Sequence, residues 1–146
     1  MGKAIFDFNK QILFAEIGAF AGAPLFATFA SYLTNSNDFI AYLSVIGAIV
    51  GSVILWIATR VYDKRRAGAY ALNSLAKDIM YFTPAAFILA MSIYYPSIFY
   101  LSRYLFSETG MILSSVIVSQ SIAFIAFLTA MNIYRYGLIL LVGKHL

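Results

Sequence analysis

The stretch Ile12–Leu33 of this sequence, ILFAEIGAFAGAPLFATFASYL, carries one charged side chain, Glu16, in 22 residues. A helix needs about 20 mainly apolar residues to cross the hydrocarbon core of a bilayer. The stretch therefore has the length and the polarity of a membrane-spanning helix. Because Lys3, Asp7 and Lys10 precede it, we interpret it as the first helix of the mature protein and not as a cleavable signal.

The composition of the whole chain also indicates a membrane protein. Of its 146 residues, 62% are hydrophobic and 11% are charged, whereas soluble proteins have about 45–50% and about 25%. The chain has no cysteine and one histidine, so a disulfide framework or a His/Cys metal site is excluded and no cofactor is expected. In a membrane protein, Lys and Arg on the cytoplasmic side set the orientation of the spans, which explains the net charge of +4. We therefore expect membrane lipids as partners and no nucleic acid.

Three further apolar segments follow the first one. We predict four spans, at about 12–33, 39–61, 79–101 and 111–134. The predicted fold class is an all-α membrane protein, with four transmembrane helices in a single domain, 1–146. The residues after the fourth span, 137–146, either extend its helix or lie in the membrane interface.

The basic residues predict the orientation of these spans. Nine of the ten Lys and Arg residues precede the first span, separate the second from the third, or follow the fourth. Arg103 is the one that falls on the other side. Because cytoplasmic loops carry the excess of Lys and Arg, we expect a multi-pass protein of the cell membrane with both termini in the cytoplasm.

The two halves of the chain, 1–66 and 67–146, resemble each other. Each is a two-helix hairpin that enters from the same side, which predicts a parallel repeat about an axis along the membrane normal. The pairs that align in the second helix of each half are Ser44 with Ser119, Ala48 with Ala123 and Arg60 with Arg135.

A few polar side chains inside the spans are candidates for a binding site. Glu16 lies roughly 9 Å deeper than Lys10, at about 1.5 Å per residue. An acid at this depth either faces the bundle on a substrate or proton path, or pairs with a base at the headgroup boundary. Gln120 and Asn132 need partners in the spans, and interhelical hydrogen bonds explain them as well as a ligand does.

Glycines four residues apart occur in both of the first two spans, as Gly18 with Gly22 and Gly47 with Gly51. Such spacing removes side chains from one helix face and lets two backbones approach. The motif predicts close packing and no activity. The chain also lacks a Ser–His–Asp set, a carboxylate pair and a glycine-rich phosphate loop, so it is not expected to be an enzyme.

The ends of the second and fourth helices resemble those of the GtrA-like family of four-helix membrane proteins. In that family both helices typically end in Phe-x-x-Asn-Arg-x-Trp-x-Phe. Here the second reads Trp56-Ile57-Ala58-Thr59-Arg60-Val61-Tyr62, and the fourth reads Asn132-Ile133-Tyr134-Arg135-Tyr136. The likeness covers the four spans, the internal duplication and these two ends.

This resemblance implies a carrier or flippase-like protein that handles a polyprenyl phosphate or a lipid-linked sugar in cell-surface polysaccharide assembly. It also implies a second copy of the chain or a glycosyltransferase as a protein partner. The phosphate is expected to meet arginines at the cytoplasmic interface, since a guanidinium bonds two oxygens at once. The expected substrate-binding residues are Glu16, Arg60, Arg65, Gln120, Asn132 and Arg135.

Two other classes of function remain open. A small proton-coupled multidrug-type transporter would use Glu16 to bind a proton and a cationic substrate in turn. A non-catalytic structural subunit of a membrane complex would need only the small-residue packing faces.

Overall fold

The computed structural model describes residues 2–66, 84 and 86–142, and the regular structure in this part of the chain is entirely helical. Residues 86–89 are helical, and a single π-helical turn, Ala90–Tyr94, connects them to the third helix. The four α-helices are α1 Gly2–Leu33, α2 Asn37–Arg66, α3 Tyr95–Thr109 and α4 Ile112–Val142.

Three of these helices contain segments that are long and apolar enough to cross a membrane. They are Ile12–Leu33 of α1, Asn37–Asp63 of α2 and Ile112–Tyr134 of α4. They agree with three of the predicted segments to within two residues at every end. The other predicted segment, 79–101, lies partly outside the described residues, and its described part is helical from residue 86 onward.

The connection between α3 and α4 is shorter than the sequence predicts. The predicted spans leave residues 102–110 between them, but α3 extends to Thr109, so only Gly110 and Met111 separate the two helices. The helix ends at Gly110, whose φ of 66° is left-handed and whose N–H donates to the Phe106 carbonyl at 3.1 Å. Glycine adopts this conformation without the penalty of a Cβ atom, so Gly110 sets the helix end.

The chain beyond the fourth predicted span continues as helix. α4 reaches Val142 without interruption. Of the two alternatives for residues 137–146, extension of the helix is correct as far as residue 142, and the last four residues lie outside the described part.

The helices α1 and α2 pack against each other through glycine. A Cβ atom added at Gly18 would overlap the carbonyl of Gly51, and one added at Gly22 would overlap that of Gly47. Conversely, a Cβ atom added at Gly47 would overlap the carbonyl of Gly22, and one added at Gly51 would overlap that of Gly18. The two backbones are therefore in direct contact, as the glycine spacing predicted.

Two ion pairs lie at opposite ends of the bundle, and we name the ends after them. At the Lys10 end, Lys10 Nζ of α1 lies 3.1 Å from Asp63 Oδ1 of α2. At the Asp38 end, Arg103 Nε of α3 lies 2.6 Å from Asp38 Oδ1 of α2. The second pair is more than half exposed, so it orients the helix ends more than it stabilises the fold.

Leucine in place of Gly22 should disrupt the α1–α2 contact, because its side chain overlaps the backbone of α2. We expect a loss of about 1–3 kcal/mol in the free energy of unfolding, measured by denaturant titration in mild detergent. Gly137→Leu is the matched control, since a Cβ at Gly137 meets no atom within 4 Å. Equal losses from the two substitutions would contradict the close contact.

Candidate functional site

Glu16 of α1 is buried inside the bundle with 7% of its surface exposed. The hydroxyl of Tyr94 lies 2.8 Å from each of its carboxyl oxygens and donates to this carboxyl group. The acid thus faces other helices and not the headgroups. Its hydrogen-bond partner in the described structure is a neutral phenol, whereas the sequence had left a pairing with a base open.

Gln120 of α4 completes a network with these two residues. Its side chain is fully buried, and its Nε2 donates to the Tyr94 hydroxyl at 3.3 Å. The amide also neighbours the Glu16 carboxyl group directly. Its carbonyl oxygen, Oε1, is buried and makes no hydrogen bond to any described residue. We call this arrangement, which joins three helical segments, the Glu16–Tyr94–Gln120 network.

Tyr94 was not among the residues that the sequence indicated, and a backbone irregularity places it. Pro96 has no N–H to donate within the helix, and the turn before it widens so that the Tyr95 N–H donates to Ala90 O, five residues back. Tyr94 ends this π-helical turn and is 4% exposed. Proline inside an apolar segment is the one sequence signal of such a departure, and π turns are frequent at functional sites.

Apolar residues enclose the network. The Tyr94 ring packs on Phe127 of α4 with 5.6 Å between the ring centroids, and on Tyr95 at 5.2 Å. Toward the Lys10 end, the buried residues Ile12 and Met131 belong to one apolar cluster. The surroundings of the carboxyl group therefore have a low dielectric constant, in which an isolated charge is costly.

The chemistry open to this site follows from its charge. Glu16 brings one acidic group, while Tyr94 and Gln120 bring none, and the two ion pairs described above lie at the bundle ends. A buried carboxylate whose described neighbours are all neutral is unstable. The site is therefore stable when Glu16 is protonated or when a cation accompanies it, and it can exchange one for the other.

The predicted arginines lie on α2 and α4. Arg60 is half-buried in the last two turns of α2, and Arg65 is exposed near its end. Arg135 is part of α4, and its side chain lies outside the described residues. Whether Arg60 and Arg135 turn toward one cavity stays a prediction.

Asn132 is separate from the network. Its Nδ2 donates to the Leu128 carbonyl of its own helix at 2.8 Å. It stands twelve residues beyond Gln120, roughly 18 Å along α4 at about 1.5 Å per residue. Asn132 lines an open cavity of about 490 Å³ beside Tyr136, and a second cavity of about 500 Å³ surrounds the Asp38–Arg103 pair. The structure thus joins Glu16 with Gln120 and places Asn132 apart from them.

Comparison with known proteins gives no further guidance: no family model, no curated protein and no solved structure matches this chain. The likeness to GtrA-like proteins accordingly stays a resemblance of helix ends and topology. What the protein does is inferred from the chemistry of its own residues.

Phenylalanine in place of Tyr94 should weaken the fold, because it removes the hydrogen-bond donor of a buried carboxyl group. We expect a loss of about 1–3 kcal/mol in the free energy of unfolding in mild detergent. Tyr104→Phe, which alters an exposed tyrosine of α3, should change the free energy of unfolding little. If Tyr94→Phe costs as much in a Glu16→Leu background as in the wild type, the hydrogen bond is not the cause.

Proposed function

We propose that this protein is a small proton-coupled membrane carrier of cations, in which Glu16 binds a proton and a cationic substrate in turn. One observation carries the proposal: the carboxyl group of Glu16 is buried at membrane depth, with a phenol and an amide as its neighbours. Ionisable residues in this position mark proton and ion paths.

The described neighbours of Glu16, a phenol and an amide, are neutral. This favours a role in exchanging a proton for a cation over a purely structural role. A carboxylate that only holds helices together is typically paired with Lys or Arg, so its charge is compensated permanently. At Glu16, loss of the proton creates a buried negative charge that attracts a cation. Because one carboxylate serves both ligands, the proton and the cation compete, and this competition couples their movements.

Four spans, with both termini on the cytoplasmic side, are part of this proposal. Helical residues 86–109 would extend roughly 36 Å at about 1.5 Å per residue, which exceeds the hydrocarbon thickness of about 30 Å. The internal repeat is also supported, since the aligned serines and alanines of α2 and α4 are all fully buried. They are Ser44, Ala48, Ser119 and Ala123.

Single cysteines at two connections test this topology. Asn37→Cys and Ala69→Cys should react with a membrane-impermeant thiol reagent from opposite sides of sealed vesicles, with position 69 on the cytoplasmic side. The chain has no native cysteine, so labelling reports the introduced residue alone. Reaction of both from one side would refute the four-span arrangement.

A lipophilic cation tests the proposed function directly. The purified protein should bind tetraphenylphosphonium, and Glu16→Gln should weaken binding by at least about tenfold, or about 1.4 kcal/mol, in equilibrium dialysis. Binding should also weaken as the pH falls, because protons compete for the same carboxylate. Asp63→Asn removes an equal charge at the Lys10 end and should leave affinity unchanged. Equal affinity in Glu16→Gln and wild type would exclude Glu16 from the site.

The second candidate function is the handling of a polyprenyl phosphate, and one observation favours it. Arg60 is half-buried, whereas Arg65 on the same helix is exposed. Arginines that serve topology alone extend outward into the headgroups. In the same dialysis experiment, an isoprenoid phosphate should then bind more weakly to Arg60→Lys than to Arg65→Lys. Retained tetraphenylphosphonium binding with no such difference would leave the cation carrier as the function.

A further inference from the structure

We propose that the Glu16–Tyr94–Gln120 network is a sodium site, in which Na⁺ replaces the proton as the ion that neutralises Glu16. The inference rests on the proposed function and deepens it, because it names the inorganic ion that the carrier exchanges. It starts from the atom that the proton-bound arrangement leaves unused, Oε1 of Gln120.

The network offers oxygen ligands from three helical segments. Glu16 provides two carboxyl oxygens, Tyr94 provides its hydroxyl oxygen, and Gln120 provides a carbonyl oxygen. The Tyr94 hydroxyl oxygen already lies 2.8 Å from each of the two Glu16 carboxyl oxygens. The fourth is fully buried and has no hydrogen-bond partner in the described structure. Hard cations prefer oxygen ligands of this kind.

Gln120 suits the site both with a protonated Glu16 and with bound Na⁺, because its amide has a donor end and an acceptor end. In the arrangement described here, Nε2 donates to the Tyr94 hydroxyl, which in turn donates to Glu16. This orientation fits a carboxyl group without a bound cation. A half-turn of the amide about its last bond exchanges the two ends and presents Oε1 to a cation beside Glu16.

The charge of the site selects a monovalent ion. Glu16 supplies one negative charge, and the described residues contain no group of three His, Cys, Asp or Glu side chains that could hold a metal. A divalent ion would leave an excess positive charge in a low-dielectric interior. The three side chains are at most 7% exposed, and such an enclosed site favours the smaller Na⁺ over K⁺.

Among the described residues, the group that exchanges a proton at this site is Glu16, whose carboxyl group accepts a hydrogen bond from Tyr94 at the end of the π-helical turn. Tyr95, the first residue of α3, packs on the Tyr94 ring. From α4 the facing group is the amide of Gln120, and from α2 it is the hydroxyl of Ser52 beside Tyr95. Sodium should therefore bind more weakly as the pH falls and Glu16 takes up its proton.

A hydrophobic carbodiimide tests the site without knowledge of the organic substrate. This reagent reaches membrane-embedded carboxyl groups and reacts with the protonated form, and mass spectrometry of the peptide that contains Glu16 reports the labelling rate. In the full-length protein, sodium chloride should slow labelling about tenfold relative to potassium chloride once Na⁺ is about tenfold above its dissociation constant. Glu16→Gln gives the background rate.

A matched pair of amide variants identifies the ligand. Gln120→Leu should still be labelled but should lose protection by Na⁺, because it keeps the volume and removes the oxygen. Asn132→Leu removes an amide of the same helix whose nitrogen is bonded to its own backbone, and it should keep protection. Equal protection in both variants would overturn the assignment of Gln120 as a ligand, and with it the sodium site.

The remaining outcomes separate this proposal from the function on which it rests. Equal labelling in Na⁺ and K⁺, with a rate that falls as the pH rises, would overturn the sodium site and leave Glu16 as a proton-exchanging group. Labelling that depends on neither the ion nor the pH would overturn the sodium site and the carrier function together.

Discussion

The hydrogen bond between Glu16 and Tyr94 is the constraint on which the interior of this protein depends. A carboxyl group cannot be kept in a low-dielectric bundle without a partner. α1 supplies the acid, the π-helical turn before α3 supplies the phenol, and α4 supplies the amide of Gln120. Each segment is therefore held at the depth and rotation at which its polar group reaches the other two.

The distribution of charge separates the functions that the sequence left open. The acid lies in the interior, while the described bases lie toward the bundle ends, where Lys10 and Arg103 pair with aspartates. An anionic ligand would meet favourable charge only at the membrane interface, whereas a cation finds it at membrane depth. The two proposed functions thus differ in the depth of the bound ligand. A cation would bind inside the bundle beside Glu16, whereas a lipid phosphate would bind at the membrane interface.

Much of the fold could be predicted because its signals are local. Hydropathy over about 20 residues predicted the three long apolar helices, and glycine spacing predicted the α1–α2 contact. The inward orientation of Glu16 follows from the cost of exposing an acid to lipid. Its partner could not be predicted, because Tyr94 reaches it through a change of helical pitch before Pro96. Likewise, the end of α3 depends on the left-handed backbone of Gly110, whereas the predicted span ended at residue 101.

The glycine contact between α1 and α2 has a mechanical consequence. Two helices whose backbones touch cannot slide or rotate past each other, because each carbonyl occupies the space that a neighbouring Cβ would need. They form a stiff pair. α3 and α4 contribute larger buried side chains to the core, among them Ile98, Phe106 and Val116. A carrier that opens around Glu16 would therefore move α3 and α4 against this stiff pair, and the hydrogen bond between Tyr94 and Glu16 would break in that movement.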